Sequence, residues 1–268
     1  MGTFKTTEIS NPKYESNNLR FITVKTPNLK GRGDICVFVP NVENAKDLPI
    51  IILLHGVYGS AWIWAHKAGV HFTANALIEN GQIPPFVIAM PSDGLWGDGS
   101  AYLPHNGKNF EKWIVDDVRL AVLENINTTS HKSLCFISGL SMGGFGALCL
   151  GAKYPNIFNG ISAHSAITHI EQMPLFVEEP LELYPDDVSV LQTLLDNRNV
   201  LPKLRFDCGR DDLLISHNQN LHTALKKNNV PHIYNEFDGA HEWPYWEEHI
   251  KDTFLFFSDI VKEHYQRT

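Results

Sequence analysis

The sequence contains no hydrophobic run that could cross a membrane. Its longest uninterrupted apolar stretch is residues 48–54, which includes Pro49, whereas a membrane-spanning helix needs about 20 apolar residues. The first ten residues, MGTFKTTEIS, also lack the apolar segment of a secretory signal peptide. We therefore expect a cytoplasmic protein that is not inserted in a membrane.

The chain is also short of positive charge. Its 22 Lys and Arg residues are outnumbered by 30 Asp and Glu residues, which gives a net charge of −8, and the sequence has no long basic run. Nucleic acids and anionic membrane surfaces attract proteins of the opposite sign, so we expect neither as a partner. The 43% hydrophobic and 11% aromatic residues are sufficient for a large core, which excludes a disordered chain.

Cysteine and histidine do not occur in metal-binding patterns. The four cysteines, Cys36, Cys135, Cys149 and Cys208, are widely spaced and form no CxxC pair, which favours buried free thiols in a reducing compartment. The 13 histidines contain no HExxH motif or other paired ligand spacing. We therefore predict no metal site and no organic cofactor.

Short β-branched segments alternate with longer amphipathic ones along the whole chain. The predicted strands are residues 19–26, 34–39, 49–54, 86–90, 133–138, 160–163, 204–208 and 233–237. The predicted helices are residues 62–80, 110–125, 142–154, 216–228 and 243–263. This alternation predicts one α/β domain over residues 1–268, with a mostly parallel central sheet flanked by helices. Residues 168–202 fit no strand–helix unit, and we expect them to form a lid-like insertion.

The strongest chemical signal is the segment Gly139-Leu140-Ser141-Met142-Gly143. An apolar strand precedes it and a helical pattern follows it, which is the setting of a nucleophile elbow. A serine on such a strained turn needs small neighbours two residues away on each side, and Gly139 and Gly143 meet that need. The alternative is a glycine-rich turn in which Ser141 only caps the helix.

A serine nucleophile needs a base, and the base needs an acid that orients it. The strand at 204–208 is followed by Asp211 and Asp212, and we favour Asp212 as the acid with Asp211 left as the alternative. His241 stands in a glycine-containing loop after the strand at 233–237, where a mobile imidazole is required. The order serine, aspartate, histidine is that of α/β-hydrolases.

A loop that follows the strand at 49–54 supplies the expected oxyanion hole. Two backbone N–H groups are needed, one after the nucleophile and one from this loop. We predict the N–H groups of Met142 and Val57, because Gly56 frees the chain to turn the Val57 amide inward. The neighbouring His55 is expected to brace the loop rather than to react.

These motifs resemble the putative-esterase branch of the α/β-hydrolases, which includes S-formylglutathione hydrolases, feruloyl and acetylxylan esterases, enterochelin-esterase-like proteins and antigen 85. The resemblance covers about residues 19–265 and rests on the elbow, Leu54-His55-Gly56, Cys208-Gly209-Arg210-Asp211-Asp212 and Gly239-Ala240-His241-Glu242-Trp243. It implies an α/β-hydrolase fold with a Ser141–Asp212–His241 triad. No stretch specific to glutathione hydrolases is evident.

The sequence thus predicts a serine esterase that acts through an acyl-enzyme on a small-molecule ester with a short or aromatic acyl group. Trp62, Trp96 and Trp243 are the expected substrate-binding aromatics, although core packing is an equal alternative. The rival functions are an acyltransferase or thioesterase with the same triad and an inactive hydrolase-fold binding module. A homo-oligomer is left open.

Overall fold

The computed structural model describes residues 3–185 and 187–267, and a nine-stranded sheet runs through this part of the chain. The strands are β1 (Thr7–Ile9), β2 (Leu19–Thr26), β3 (Gly31–Phe38), β4 (Ile50–Leu54), β5 (Val87–Pro91), β6 (Pro104–His105), β7 (Lys108–Asn109), β8 (Cys135–Leu140), β9 (Gly160–His164), β10 (Lys203–Gly209) and β11 (Ile233–Phe237). The sheet order is β1-β2-β3-β5-β4-β8-β9-β10-β11, while β6 and β7 form a separate two-stranded ribbon.

The sheet is antiparallel at one side and parallel through the rest. Strands β1, β2, β3 and β5 pair antiparallel, whereas β5, β4, β8, β9, β10 and β11 pair in parallel. The mostly parallel sheet is therefore confirmed. Strands β2 and β3 form an antiparallel hairpin, and β3 begins at Gly31 and not at residue 34 as predicted. Within this extension Gly33 passes close to the Trp113 ring, where a side chain would collide.

Helices cover both faces of the sheet. They are α1 (Ile63–Lys67), α2 (Val70–Glu79), α3 (Phe110–Lys112), α4 (Arg119–Asn125), α5 (Met142–Lys153), α6 (Val190–Asp196), α7 (Ile215–Lys227) and α8 (Trp243–Arg267). Strand β4 is apolar throughout because it is buried on both faces of the sheet. Ile50, Ile52 and Leu54 belong to the core on one face, and Ile51 and Leu53 belong to the core on the other.

Two predicted helices differ from the structure. The single helix expected over 62–80 is divided into α1 and α2, because Gly69 between them has φ = 58°, which helical geometry does not allow. The helix expected over 110–125 contains a π-helical segment, Trp113–Val118, between α3 and α4. This segment directs Trp113 and Asp117 inward, where Trp113 Nε1 donates to Ser92 O at 2.7 Å and Asp117 accepts from Asn28 at 2.9 Å.

The segment over residues 168–202 contains two short 3₁₀ helices, Ile170–Leu175 and Leu181–Leu183, followed by α6. Hydrogen bonds attach it to the loop that follows β5. Glu178 N donates to Asp98 Oδ2 at 3.0 Å, and Asp98 N donates to Glu179 Oε1 at 2.8 Å. The Tyr184 hydroxyl donates to Gly99 O at 2.8 Å. No helix in the described residues is long and apolar enough to span a bilayer.

All four cysteines are buried and unpaired. Burial raises the pKa of the Cys36, Cys135 and Cys149 thiols to about 12 and also raises the pKa of Cys208. Since the thiolate is the reactive form, we expect no thiol to react with Ellman's reagent at pH 8 in the folded protein, and all four to react in guanidinium chloride. One thiol that reacts within minutes in the folded protein would contradict this expectation.

Candidate active site

Ser141 lies on the sharp turn between β8 and α5. Its backbone has φ = 53° and ψ = −118°, a conformation that residues with a side chain rarely adopt. The flanking glycines make the turn sterically feasible. A Cβ on Gly139 would overlap Gly143 O, and one on Gly143 would lie 2.5 Å from Leu54 O. The Ser141 N–H donates to His164 O at 3.0 Å, which holds the strained turn against β9.

The structure brings His241 to Ser141 and Asp212 to His241. His241 Nε2 is 3.0 Å from Ser141 Oγ, and His241 Nδ1 is 3.0 and 2.9 Å from the two carboxylate oxygens of Asp212. Because a carboxylate only accepts, Nδ1 carries the proton in this arrangement and the Nε2 lone pair faces the serine hydroxyl. This is the geometry of a general base poised at a nucleophile.

The two candidate aspartates differ in their burial. The Asp212 side chain is fully buried, and Asp212 Oδ1 also accepts from Leu214 N at 2.8 Å. The Asp211 residue is exposed. The loops that carry Asp212 and His241 touch directly at Gly209, where an added side chain would overlap Gly239 O. The two glycines therefore allow the close approach of these loops.

The loop after β4 lies against the elbow, as the proposed oxyanion hole requires. A Cβ on Gly56 would be 3.3 Å from Ser141 Cβ and 2.8 Å from Leu140 Cδ1, so this backbone passes close to the nucleophile. Val57 follows Gly56. Met142 is the first residue of α5, and N–H groups at a helix start have no acceptor within the helix.

His55 is held as a brace of this loop. His55 Nε2 accepts from Asp93 N at 3.1 Å, so Nδ1 carries the proton, and Nδ1 is 2.6 Å from Gly56 O. The Tyr102 hydroxyl donates to His55 O at 2.8 Å. With both ring nitrogens engaged by the backbone and only 2% of the residue exposed, His55 is not positioned to react with a substrate.

A cavity of about 470 Å³ opens beside Ser141 and His241, and five of the residues that line it are tyrosine, tryptophan or phenylalanine. Trp62 and Trp243 line it, whereas Trp96 is not among the lining residues. The Trp96 ring packs edge-on against His105 at 4.6 Å and Tyr184 at 5.6 Å. The substrate-binding role of the three tryptophans stays a prediction.

Three further aromatic side chains were missed by the sequence analysis. The Phe176 ring stacks on the His241 imidazole at 5.1 Å, and the Tyr58 hydroxyl donates to Phe176 O. The Trp246 ring meets the His241 imidazole edge to face at 5.0 Å. Trp246 follows Trp243 by one helical turn, a spacing that could have indicated it. No signal in the sequence places Phe176 beside His241.

The described residues contain no group of three or more His, Cys, Asp or Glu side chains that could hold a metal ion. The Ser141 hydroxyl, the His241 imidazole and the Asp212 carboxylate contact one another in this order, and Ser141 and His241 line the cavity.

Comparison with known proteins identifies related esterases. The family model described as "Putative esterase" matches residues 26–257. An acetyl esterase of Caldicellulosiruptor saccharolyticus is 26% identical over 92% of this chain and 94% of its own length. An endo-1,4-β-xylanase/feruloyl esterase of Xylanibacter ruminicola is 27% identical over 49% of this chain and 18% of that protein.

Solved structures show the same fold. A ferulic acid esterase superposes with a TM-score of 0.80 at 22% identity, over 96% of this chain and 99% of its own. The S-formylglutathione hydrolase FrmB of Staphylococcus aureus superposes with a TM-score of 0.76 at 18% identity, over 93% and 98%. The fold is therefore that of the α/β-hydrolases. Because the family model spans most of the sequence, the chain belongs to the putative esterase family and is a serine carboxylic ester hydrolase.

Proposed function

We propose that this esterase acts through an acyl-enzyme with Ser141 as nucleophile, His241 as general base and acid, and Asp212 as the group that orients His241. The observation that carries the proposal is the 3.0 Å contact between Ser141 Oγ and His241 Nε2, continued by the contacts of 2.9 and 3.0 Å to Asp212. A serine hydroxyl is a weak nucleophile unless a base removes its proton, and this chain of contacts meets that requirement.

In the first half-reaction, Ser141 Oγ forms a bond to the ester carbonyl carbon while its proton passes to His241 Nε2. The carbonyl oxygen becomes an oxyanion, which the N–H groups of Val57 and Met142 stabilise, each by about 10²–10³ in rate. The intermediate then breaks its bond to the alcohol oxygen. That oxygen takes the proton from Nε2 and leaves as the free alcohol, so that an acyl-serine ester remains.

In the second half-reaction, water replaces the alcohol. Its oxygen attacks the acyl carbonyl carbon as His241 Nε2 takes one of its protons. The second tetrahedral intermediate breaks the bond to Ser141 Oγ, which recovers the proton, and the carboxylic acid leaves. The Asp212 carboxylate stabilises the imidazolium that forms in each half and stays ionised throughout.

The substrate in this proposal is an ester with a short or aromatic acyl group. The cavity of about 470 Å³ with its aromatic walls favours a small planar or apolar group. The relatives named as an acetyl esterase and a feruloyl esterase support the same two classes. We also propose that residues 1–268 form one α/β-hydrolase domain, with 168–202 as its insertion. The continuous nine-stranded sheet and the hydrogen bonds of this segment to the loop after β5 support this view.

A fluorophosphonate probe tests the triad without any assumption about the substrate. We expect one adduct, on Ser141, located by peptide mass mapping. His241→Ala should slow labelling by at least about 100-fold, because the hydroxyl loses its base. His131→Ala, which removes an exposed histidine elsewhere in the chain, is the matched control and should label normally. No adduct, or one unaffected by His241→Ala, would mean that the triad is not assembled and would favour the inactive scaffold.

The aromatic wall predicts a selective effect of Trp62→Ala. Trp62 lines the cavity with 48% of its surface exposed, so its loss removes stacking area without disturbing the core. We expect KM for methyl ferulate to rise about tenfold, the equivalent of about 1.4 kcal/mol. KM for p-nitrophenyl acetate should change less than twofold. Trp96→Phe is the control, and a rise in KM with this variant instead would contradict the placement.

A further inference from the structure

A second set of polar side chains lies beneath the proposed triad, out of reach of solvent. Each member is no more than 3% exposed. We call it the buried polar cluster, and its members are Ser162 and His164 on β9, Arg205 and Asp207 on β10, and Tyr245 and Thr253 on α8. None of them lines the cavity beside Ser141. The proposed mechanism makes no use of any of them.

The cluster repeats the order hydroxyl, imidazole, carboxylate. Thr253 Oγ1 is 2.8 Å from His164 Nε2, and His164 Nδ1 is 3.1 Å from Asp207 Oδ1. A second hydroxyl, Ser162 Oγ, is 2.6 Å from Thr253 Oγ1. Since His164, Asp207 and Thr253 have no exposed surface, this arrangement cannot meet a substrate.

The Asp207 carboxylate is contacted by a charged group and by a further hydroxyl of the cluster. Arg205 Nη1 lies 2.7 Å from Asp207 Oδ2, and the Tyr245 hydroxyl donates to Asp207 Oδ1 at 2.7 Å. Burial opposes ionisation of this carboxyl, but His164 and Arg205 outweigh it and hold the pKa of Asp207 below its ordinary value. Burying charged groups is costly even when they are paired, and apolar side chains of similar volume would pack at least as well. A contribution to stability therefore does not explain why these polar groups are buried here.

Each strand or helix that carries the cluster also leads to, or contacts, the segment that holds one residue of the proposed triad. On β9, His164 O accepts the Ser141 N–H at 3.0 Å, so it fixes the elbow. On β10, Asp207 O accepts the N–H of Ser165 at 2.8 Å, and the strand runs on into the loop of Asp212.

On α8, the contacts reach the base. The Tyr245 ring packs against the loop of His241, where a Cβ on Gly239 would lie 2.8 Å from it. The next residue, Trp246, donates from Nε1 to Ser165 Oγ at 3.1 Å and presents its ring to the His241 imidazole. The cluster thus joins the three chain segments that hold the nucleophile, the acid and the base.

We propose that the buried polar cluster fixes the relative positions of Ser141, Asp212 and His241, with Tyr245 and Thr253 as positioning residues. The inference rests on the proposed function of that triad. Apolar contacts between α8 and the sheet would tolerate small shifts of the helix, whereas directional hydrogen bonds to His164 and Asp207 define one position. A displacement of about 1 Å at the reacting groups costs on the order of 100-fold in rate, so partial loosening should be measurable.

The test uses two variants that remove one hydroxyl each and keep the surrounding shape. Tyr245→Phe removes the donor to Asp207 Oδ1 and leaves the ring on Gly239. Thr253→Val removes the link between His164 and Ser162. We expect each to lower kcat for p-nitrophenyl acetate about tenfold with KM changed less than twofold. Thr253→Ser, which restores the hydroxyl, should recover most of kcat.

Ser258→Ala is the matched control. Ser258 is a fully buried serine on the same helix, and its hydroxyl has no partner in the part of the chain that the structure describes. Its kcat should equal that of the wild type. If Tyr245→Phe and Thr253→Val melt at lower temperature but keep the wild-type kcat, the cluster is only structural and the inference is wrong. If hydrolysis survives Ser141→Ala, the proposed function fails instead.

Discussion

Replacing Ser141 with alanine is expected to lower kcat for p-nitrophenyl acetate by about a millionfold, with a small residual activity from the oxyanion hole and substrate binding. The hydroxyl supplies the atom that forms the acyl bond, and alanine has nothing to replace it. The measurement is a steady-state assay at high enzyme concentration. The fluorophosphonate adduct should be lost in the same variant.

A matched serine shows whether the loss is specific. Ser138→Ala removes a buried hydroxyl three residues upstream on β8, one that has no hydrogen-bond partner among the described residues. Its activity should stay within about twofold of the wild type, since a hydroxyl that makes no hydrogen bond contributes little. Activity of folded Ser141→Ala protein within tenfold of the wild type would show that another group carries the reaction and would overturn the proposed mechanism.

Replacing Asp212 with asparagine is expected to lower kcat by about 10⁴-fold, while Asp211→Asn should change it less than twofold. Both substitutions remove one negative charge and keep the side-chain shape, so they differ only in position. At residue 212 the amide can donate to His241 Nδ1, which then carries no proton, and Nε2 becomes protonated and cannot accept from Ser141. At residue 211 the carboxylate is exposed and has no such contact to the imidazole.

The pair of asparagine variants separates the two aspartates in one experiment. Steady-state kinetics should be measured alongside thermal melting, because the Asp212 carboxylate also accepts from Leu214 N and its loss affects the loop. A large loss of kcat with Asp211→Asn and little with Asp212→Asn would reverse the assignment. Equal small effects would argue that His241 needs no orienting acid.

The sequence predicted correctly those features that can be recognised from residues close together in the chain. The apolar run of β4 is required by burial on both faces, and it predicted a strand of a parallel sheet that the structure confirms. The turn after β8 could be recognised directly, because glycines stand two residues before and after Ser141, between an apolar strand and a helical pattern. The contact of Gly143 with Leu54, however, is visible only in the structure. By contrast, the break at Gly69 was missed, because a lone glycine is tolerated in many helical patterns.

Long-range packing decided the rest of the site. Trp62 and Trp96 are indistinguishable as residues, yet one lines the cavity and the other packs against His105 and Tyr184. Phe176 reaches His241 only because the inserted segment is attached to the loop after β5. The buried polar cluster joins His164 and Ser162 on β9 to Thr253 on α8, which lies 89 and 91 positions away in the sequence. No local periodicity indicates such a pairing.

The sequence by itself determined the fold class, the esterase family and a short set of candidate groups, because periodicity, glycine placement and motif order are properties of the chain over short spans. Only the tertiary structure decided which carboxylate faces His241, which aromatics form the cavity and which buried charges lie beneath the site. Those choices depend on contacts between segments as far as 100 residues apart, such as Ser141 and His241, and their free energy comes from packing and hydrogen bonding that arise only when the chain folds.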